Sequence, residues 1–299
     1  MAERAGGTRG PIGVVGLGLM GTAIGGRLLD AGFAVRVWNR TRERAGPLLD
    51  RGATWTDDPL GECPRVVVSL YDGAAVTAVI GARLPHAPPG RIVIDTSTVA
   101  PETTRTLAAA IASRGGVWLD APISGSSAQT RAGTATVIVG GDDAAWAACA
   151  DLWDALGGRV HHVGPSGSAA AMKLVTNLVL GLNRAALAEG LAFARSLGID
   201  PARALAVLRD SPAASRQMDT KGEKMVGGDF TVQARLAQHD KDVALILAAS
   251  AGAGLDLPLT TAHRALLARA LGLGLGALDN SAIIAAYGAP PPRGAEGPP

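Results

Sequence analysis

Cysteine is almost missing from this chain: there are two residues, Cys63 and Cys149, far apart and in no Cys-x-x-Cys pair. That excludes a disulfide framework and leaves two reduced, partly buried thiols as the expectation. No run approaches the ~20 apolar residues that a membrane span needs. The apolar stretch at 12–20 resembles a secretory leader, but Gly13, Gly16 and Gly18 interrupt it and no convincing cleavage site follows. It reads as a strand and a turn, and the chain is expected to be cytoplasmic. Charge is sparse as well. Charged residues make up 18% against 47% hydrophobic, a balance that supports a core and argues against disorder. The formal net charge of +2 comes without a basic run to grip a nucleic-acid backbone. Small molecules, rather than nucleic acid or membrane, are the expected partners. The five histidines make no metal-ligand pattern. His161 and His162 are adjacent and would point to opposite sides of an extended segment. His239, near Lys241, could touch substrate, but a place at the surface or capping a helix is the expectation.

What is present divides the chain in two, as its 299 residues allow at ~100–200 per domain. Residues 1–10 and 288–299 are rich in glycine or proline and are expected to be loose tails. Between them the first half alternates β-type runs at 12–15, 34–38, 66–70, 92–95, 117–120 and 136–139 with helical segments at 19–31, 42–51 and 101–114. Alternation of this kind indicates a parallel sheet with crossover helices. After about Gly164 the pattern is helix alone. Residues 168–197 contain no proline and would span about 45 Å as a helix. Lys173, Asn177 and Arg184 fall near one face of it, while most other faces are apolar. A helix so apolar is expected to lie buried between domains or subunits. Further helices are expected at 202–209, 240–251 and 259–271. The expected fold is an α/β N-terminal Rossmann domain over 1–165 and an all-α C-terminal domain over 166–299. The second domain would serve substrate binding and assembly into a homodimer or homotetramer.

The first strand runs into Gly16-Leu17-Gly18-Leu19-Met20-Gly21, a Gly-x-Gly-x-x-Gly turn that opens a helix. The first glycine permits the tight turn, the second lets backbone approach a pyrophosphate, and the third lets helix pack on strand. Phosphates would then meet the free N–H groups and the positive end of the helix. Because the turn follows a strand and begins a βαβ unit ending at Trp38, it reads as a dinucleotide site rather than a chance glycine loop. NAD sites usually place an acidic residue at the end of the second strand, to hold the ribose 2′-hydroxyl. Here the residues are Asn39-Arg40-Thr41, followed by Arg42 and Arg44. Arginine and threonine suit a 2′-phosphate that a carboxylate would repel, so NADP, and NADPH over NADH, is expected. The bland alternative makes these arginines solvated residues at a helix start.

Four motifs stand in order: Gly16 to Gly21; Asp120-Ala121-Pro122-Ile123-Ser124-Gly125-Ser126; Gly164 through Lys173 to Asn177; and Lys241-Asp242. On them the chain resembles the β-hydroxyacid dehydrogenases, from residue 12 to about Tyr287. That family includes 3-hydroxyisobutyrate dehydrogenase, tartronate semialdehyde reductase and glyoxylate/succinic semialdehyde reductase. The resemblance implies a 6-phosphogluconate dehydrogenase-like C-terminal domain. It also implies hydride transfer between NADP and a small 3-hydroxy acid or its semialdehyde. It makes Lys173 the catalytic lysine and Asn177 the substrate-orienting asparagine. Ser124, Gly125 and Ser126 become the binding segment for a carboxylate-bearing substrate. Thr98 would lie beside the nicotinamide ribose, Leu70 and Tyr71 along the cofactor, and Lys241 towards the nicotinamide end, with Asp242 a structural partner. The chemistry suits these types. Oxidising an alcohol needs a base and reducing a carbonyl needs an acid, and a lysine serves either way if burial and the oxidised nicotinamide lower its pKa. Lysine and asparagine four apart share a helix face and can converge on one oxygen. Backbone N–H groups and a serine hydroxyl can cradle a carboxylate. The bland alternatives are a snorkelling lysine and an ordinary Pro/Ser/Gly turn.

Two positions depart from the family pattern. Ser126 stands where it has a second glycine after Ser-Gly, and Ala169 where it has a glycine before the lysine. Both add a side chain and are expected to reshape the substrate pocket. Two other functions stay open: an imine reductase, whose kind generally lacks a lysine at the Lys173 position, and a non-catalytic cofactor-binding scaffold.

Overall fold

Four-residue runs rich in valine and isoleucine frame the first half, because β-branched side chains pack well on a pleated surface. In the computed structural model, which describes residues 10–288, they form a six-stranded parallel sheet. Its strands are β1 (Ile12–Val15), β2 (Val35–Trp38), β3 (Thr54–Trp55), β4 (Arg65–Val68), β5 (Ile92–Asp95) and β6 (Val117–Asp120), in the order β3-β2-β1-β4-β5-β6. A smaller sheet pairs β7 (Ile123–Ser124) antiparallel to β8 (Thr136–Val139), with β9 (Arg159–His162) parallel on its other side. The helices that cross between these strands are α1 (Leu19–Asp30), α2 (Gly46–Leu49), α3 (Pro59–Glu62), α4 (Gly73–Arg83), α5 (Pro101–Ala112), α6 (Ser127–Arg131), α7 (Asp143–Ala148) and α8 (Ala150–Leu156). Then come α9 (Ser168–Ser196), α10 (Pro201–Asp210), α11 (Glu223–Gly227), α12 (Leu236–Gly252) and α13 (Pro258–Gly272). The chain forms two compact units divided between Lys173 and Leu174, so the first turn of α9 belongs with the sheets. Apart from Gly10 and Gly288, the expected loose tails lie outside the described residues.

Alternate residues of each strand face opposite sides of the large sheet. Ile12, Val14, Val67, Ile94 and Leu119 share a core with Ile24 and Leu28 of α1. Val15, Val66, Val68, Val93 and Trp118 pack instead with Val76, Ile80, Leu107 and Ile111 of α4 and α5. A parallel sheet covered on both faces gives the near-continuous apolar runs seen in the sequence. Each large side chain fully buried this way contributes about 1.5–3 kcal/mol. Both cysteines are free and buried, and burial pushes each thiol up to about 11.

Several boundaries differ from expectation. The run at 66–70 leaves the ladder after Val68, because the Leu70 N–H turns to the Ser97 hydroxyl at 2.9 Å. The helix expected at 42–51 breaks into a 3₁₀ turn, Arg42–Ala45, and the short α2, where Pro47 has no N–H to continue the first turn. Helix α4 fills the crossover between β4 and β5; Asp72 caps it, accepting the Ala75 N–H at 2.8 Å. No described helix is long and apolar enough to cross a membrane.

One carboxylate organises the all-helical unit. Asp279 is fully buried and accepts from Lys221 Nζ at 2.8 and 3.0 Å. It also accepts from the N–H groups of Gln233, Ala234 and Ser281 at 2.9, 3.1 and 3.1 Å, and from the Ser281 hydroxyl at 2.8 Å. Burial alone would raise its pKa, but the Lys221 ammonium and these donors outweigh it and hold the carboxyl below its usual value. Asp279→Ala should cost about 3–5 kcal/mol, because Lys221 is left buried without its counter-charge. All five tryptophans lie in the sheet-bearing unit. Thermal melts of the helical unit are therefore followed by far-UV circular dichroism. A carboxyl with a depressed folded pKa stabilises above its unfolded value and loses that contribution as pH falls through the folded one. The gap between wild type and variant should thus narrow below about pH 3.9, and a variant melting like wild type at neutral pH would contradict the assignment.

Candidate active site

The cofactor half of the site sits at the C-terminal ends of the parallel strands, where strand order reverses between β1 and β4, the usual place for a ligand in such a sheet. Gly16 has φ +91°, and a Cβ there would stand 2.3 Å from the Ser69 carbonyl oxygen. A Cβ on Gly21 would fall 1.8 Å from the Gly16 carbonyl oxygen, so this glycine lets α1 close on the turn. Gly18, the N-cap of α1, has nothing within 4 Å of its Cβ position and makes no side-chain cap bond. The turn thus leaves open backbone at an uncapped helix start, as a pyrophosphate requires. Leu17 is buried, Met20 packs partly against the core, and Leu19 is half exposed.

Asn39 ties the end of β2 to this turn. Its Oδ1 accepts the Leu17 N–H at 2.9 Å and its Nδ2 donates to the Thr41 carbonyl at 2.8 Å. Arg40 and Thr41 stand exposed beside it. Arg42 lies over the Trp55 ring, 4.8 Å from its centroid, which leaves Arg40 as the better placed of the two arginines for a phosphate. On the other side of β1, Leu70 lies against Gly16 and Tyr71 is largely exposed. Ser97 joins the two loops that follow β4 and β5. Its hydroxyl accepts the Leu70 N–H, and its own N–H donates to Asp95 Oδ1 at 2.9 Å. Burial, reinforced by neighbouring Asp120 and only partly offset by the bonds from Ser97, pushes Asp95 up to about 7. Thr98 is half-buried in the same loop.

Lys173, in the first turns of α9, is 8% exposed and donates from Nζ to the Ile123 carbonyl at 2.9 Å. Its ammonium is therefore held at the residue next to Ser124, where it can pass a proton to a substrate oxygen. Ser124 is half-buried at the end of β7 and Gly125 is exposed. Ser126 departs from expectation. It is the N-cap of α6: its hydroxyl accepts the Gln129 N–H at 3.2 Å and its N–H donates to Gln129 Oε1 at 2.8 Å. Its N–H is spent in this capping box, so its O–H is the donor left for an anion. Ala169 is fully buried in the packing at the start of α9, beside Gly140. Of the two departures, Ser126 thus has a local role as a helix cap, and the Ala169 methyl group is buried in packing.

Asn177 lies one turn after Lys173 on α9 and is 6% exposed. Its Nδ2 donates to Asp242 Oδ2 at 2.9 Å, and Lys241 pairs with Asp242 Oδ1 at 3.0 Å, so these three residues form one cluster in the helical unit. Asp242 is the structural partner expected. His239 is not at the surface. It is 5% exposed, with its ring tilted against His263 at 5.1 Å between centroids. Gly181 makes this possible, since a Cβ there would come within 2.6 Å of His239 Nε2. Burial, aided by the charge of Arg184, pushes His263 down to about 4. Among the described residues no three His, Cys, Asp or Glu side chains group as a metal site.

Two family models match the chain. Residues 11–164 match the NAD-binding domain of 6-phosphogluconate dehydrogenase, and 167–287 match the NAD-binding domain of NADP-dependent 3-hydroxyisobutyrate dehydrogenase. The chain is 32% identical to glyoxylate/succinic semialdehyde reductase 1 of Arabidopsis thaliana, over 92% of this chain and 97% of that protein. It is 34% identical to the cytokine-like nuclear factor N-PAC of Xenopus tropicalis over 92% of its own length, and it spans about half of that longer protein, 53%. The solved structure of Mycobacterium tuberculosis 3-hydroxyisobutyrate dehydrogenase with L-serine has a TM-score of 0.86 at 26% identity, covering 94% of this chain and 100% of that one.

Proposed function

Because the chain belongs to the β-hydroxyacid dehydrogenase family, we propose that it is an NADPH-dependent reductase of a small carboxylate-bearing aldehyde, running in reverse as a 3-hydroxy acid dehydrogenase. The observation that carries this reading is the buried Lys173 ammonium, anchored on the Ile123 carbonyl beside Ser124. The Gly16–Gly21 turn would hold the pyrophosphate, Arg40 and Thr41 the 2′-phosphate, and Leu70, Tyr71 and Thr98 the nicotinamide side. NADPH bound there supplies the hydride. Ser124 and Gly125 hold the substrate carboxylate. Lys173 delivers a proton to the carbonyl oxygen as it becomes an alkoxide, and takes it back in the oxidative direction. Asn177, its Nδ2 fixed by Asp242, orients the substrate, and Lys241 pairs with the same carboxylate. The sheet-bearing unit, with Ser124, Gly125 and Lys173, serves the cofactor and the substrate carboxylate, and the helical unit, with Asn177, serves substrate orientation and assembly. A homodimer or homotetramer is supported by the half-exposed Val175, Val179 and Phe193 along α9. The two buried thiols agree with action in a reducing cytoplasm.

The test is a substrate screen following NADPH absorbance, with tartronate semialdehyde and methylmalonate semialdehyde as the aldehydes that give 3-hydroxy acids, glyoxylate and succinic semialdehyde as their 2- and 4-hydroxy counterparts, and cyclic imines as the rival class. Turnover of at least one aldehyde acid, with none of the imines, is the expected result. Imine turnover alone would replace this reading with an imine reductase, and no NADPH oxidation at all would leave a cofactor-binding scaffold.

A further inference from the structure

Asp120 ends β6 and opens the segment that bears Ser124 and Gly125, but nothing in the chemistry above uses its side chain. That side chain is 2% exposed. Its Oδ1 accepts the Gly167 N–H at 3.0 Å and its Oδ2 the Ala170 N–H at 2.9 Å, so one carboxyl group grips the start of α9 with both oxygens. A helix start leaves such donors without intrahelical partners, and a side-chain acceptor there fixes the path of the chain. The backbone of Asp120 is itself fixed, exchanging hydrogen bonds with Gly140 at 3.0 and 2.8 Å. A Cβ on Gly140 would stand 2.9 Å from both Asp120 oxygens and from the Ala169 nitrogen. Only glycine leaves room there for the carboxyl group and the helix start to meet. Three residues further along each element lies a second contact, the bond from Lys173 Nζ to the Ile123 carbonyl. The substrate segment and the first turns of α9 are thus joined at two points, and Lys173 is the second of them.

We propose that Asp120 is a positioning residue for Lys173: by gripping the first turn of α9 it sets where the ammonium stands beside Ser124. The inference rests on Lys173 being the proton donor. A displacement of about 1 Å in a reacting group can cost on the order of 10²-fold in rate, so loosening the grip should act on the chemical step.

Two variants test it from opposite sides. Asp120→Asn keeps the shape but replaces one acceptor oxygen with an NH₂ group facing an N–H donor. Gly140→Ala keeps the carboxyl group and pushes the helix start away from it. For each, kcat, KM, the NADPH dissociation constant, the thermal melt and the isotope effect on kcat with NADPH deuterated at the transferred position are measured beside wild type and Lys173→Ala. Both variants should lose about 10- to 100-fold in kcat. Their NADPH affinity should stay within about threefold, and the isotope effect should rise as hydride and proton transfer become rate-limiting. If Asp120 only stabilises the helix, kcat falls with the fraction of folded protein and the isotope effect stays at the wild-type value. That result, or a kcat within about twofold of wild type in folded variants, overturns the proposal. Should Asp120→Asn fail to fold, Gly140→Ala carries the test. Full turnover by Lys173→Ala would sink the proton-donor reading and this inference together. An inactive Lys173→Ala beside unaffected clamp variants would sink this inference alone.

Discussion

Lys173→Ala is expected to lower kcat by ~10²–10⁴ while leaving NADPH binding nearly unchanged, the range for loss of a positioned acid/base. The split follows from where the residue sits. Its Nζ is held by the Ile123 carbonyl beside Ser124, whereas the pyrophosphate turn and Arg40 lie at the ends of β1 and β2. A proton donor acts only as the alkoxide forms, so its loss should reduce kcat and kcat/KM together and spare the cofactor. Steady-state rates and a fluorescence titration with NADPH read the two quantities separately. A variant that keeps most of its turnover would make Lys173 a structural cation lying along its helix.

The second large effect concerns the cofactor. Wild type should favour NADPH over NADH in kcat/KM by at least about tenfold, ~1.4 kcal/mol, a modest demand on a charge-assisted phosphate contact. Arg40→Asp should reverse much of that preference, because a carboxylate repels the 2′-phosphate and can instead bind the ribose hydroxyls. Arg42 is the control. It is engaged with Trp55, so Arg42→Asp should change the preference less. Equal use of both cofactors by wild type would remove the assignment of Arg40.

Much of this frame was legible in the sequence. β1, β5, β6 and β8 fall at the expected residues, because each is an apolar run buried on both faces and bounded by turn residues. The glycine turn was legible in detail: Gly16 and Gly21 each meet a distinct steric demand, and Gly18 leaves open backbone between them. The two-residue strands β3 and β7 carry too little pattern to be seen, and β9, with His161 and His162 at its end, lacks an apolar run. Ser126 shows a different failure. Ser-x-x-Gln is a capping-box spacing, but after Pro122 and Gly125 the same residues also read as part of an anion cradle. His239 does lie in the first turn of α12, but its burial is not legible locally, because it depends on Gly181, distant in sequence, leaving space for the ring. The bond between Asn177 and Asp242 depends likewise on two helices meeting, which no local pattern encodes.

In the proposed reaction a hydride passes from NADPH to an aldehyde carbon while Lys173 supplies the proton. The most direct measurement uses NADPH deuterated at the transferred position, with the aldehyde acid that the screen identifies, and analyses the product by mass spectrometry and NMR. Deuterium is expected on the carbinol carbon of the hydroxy acid in wild type, and nearly none over the same time with Lys173→Ala. A hydroxy acid formed without deuterium at that carbon, or equal labelling by both proteins, would contradict it.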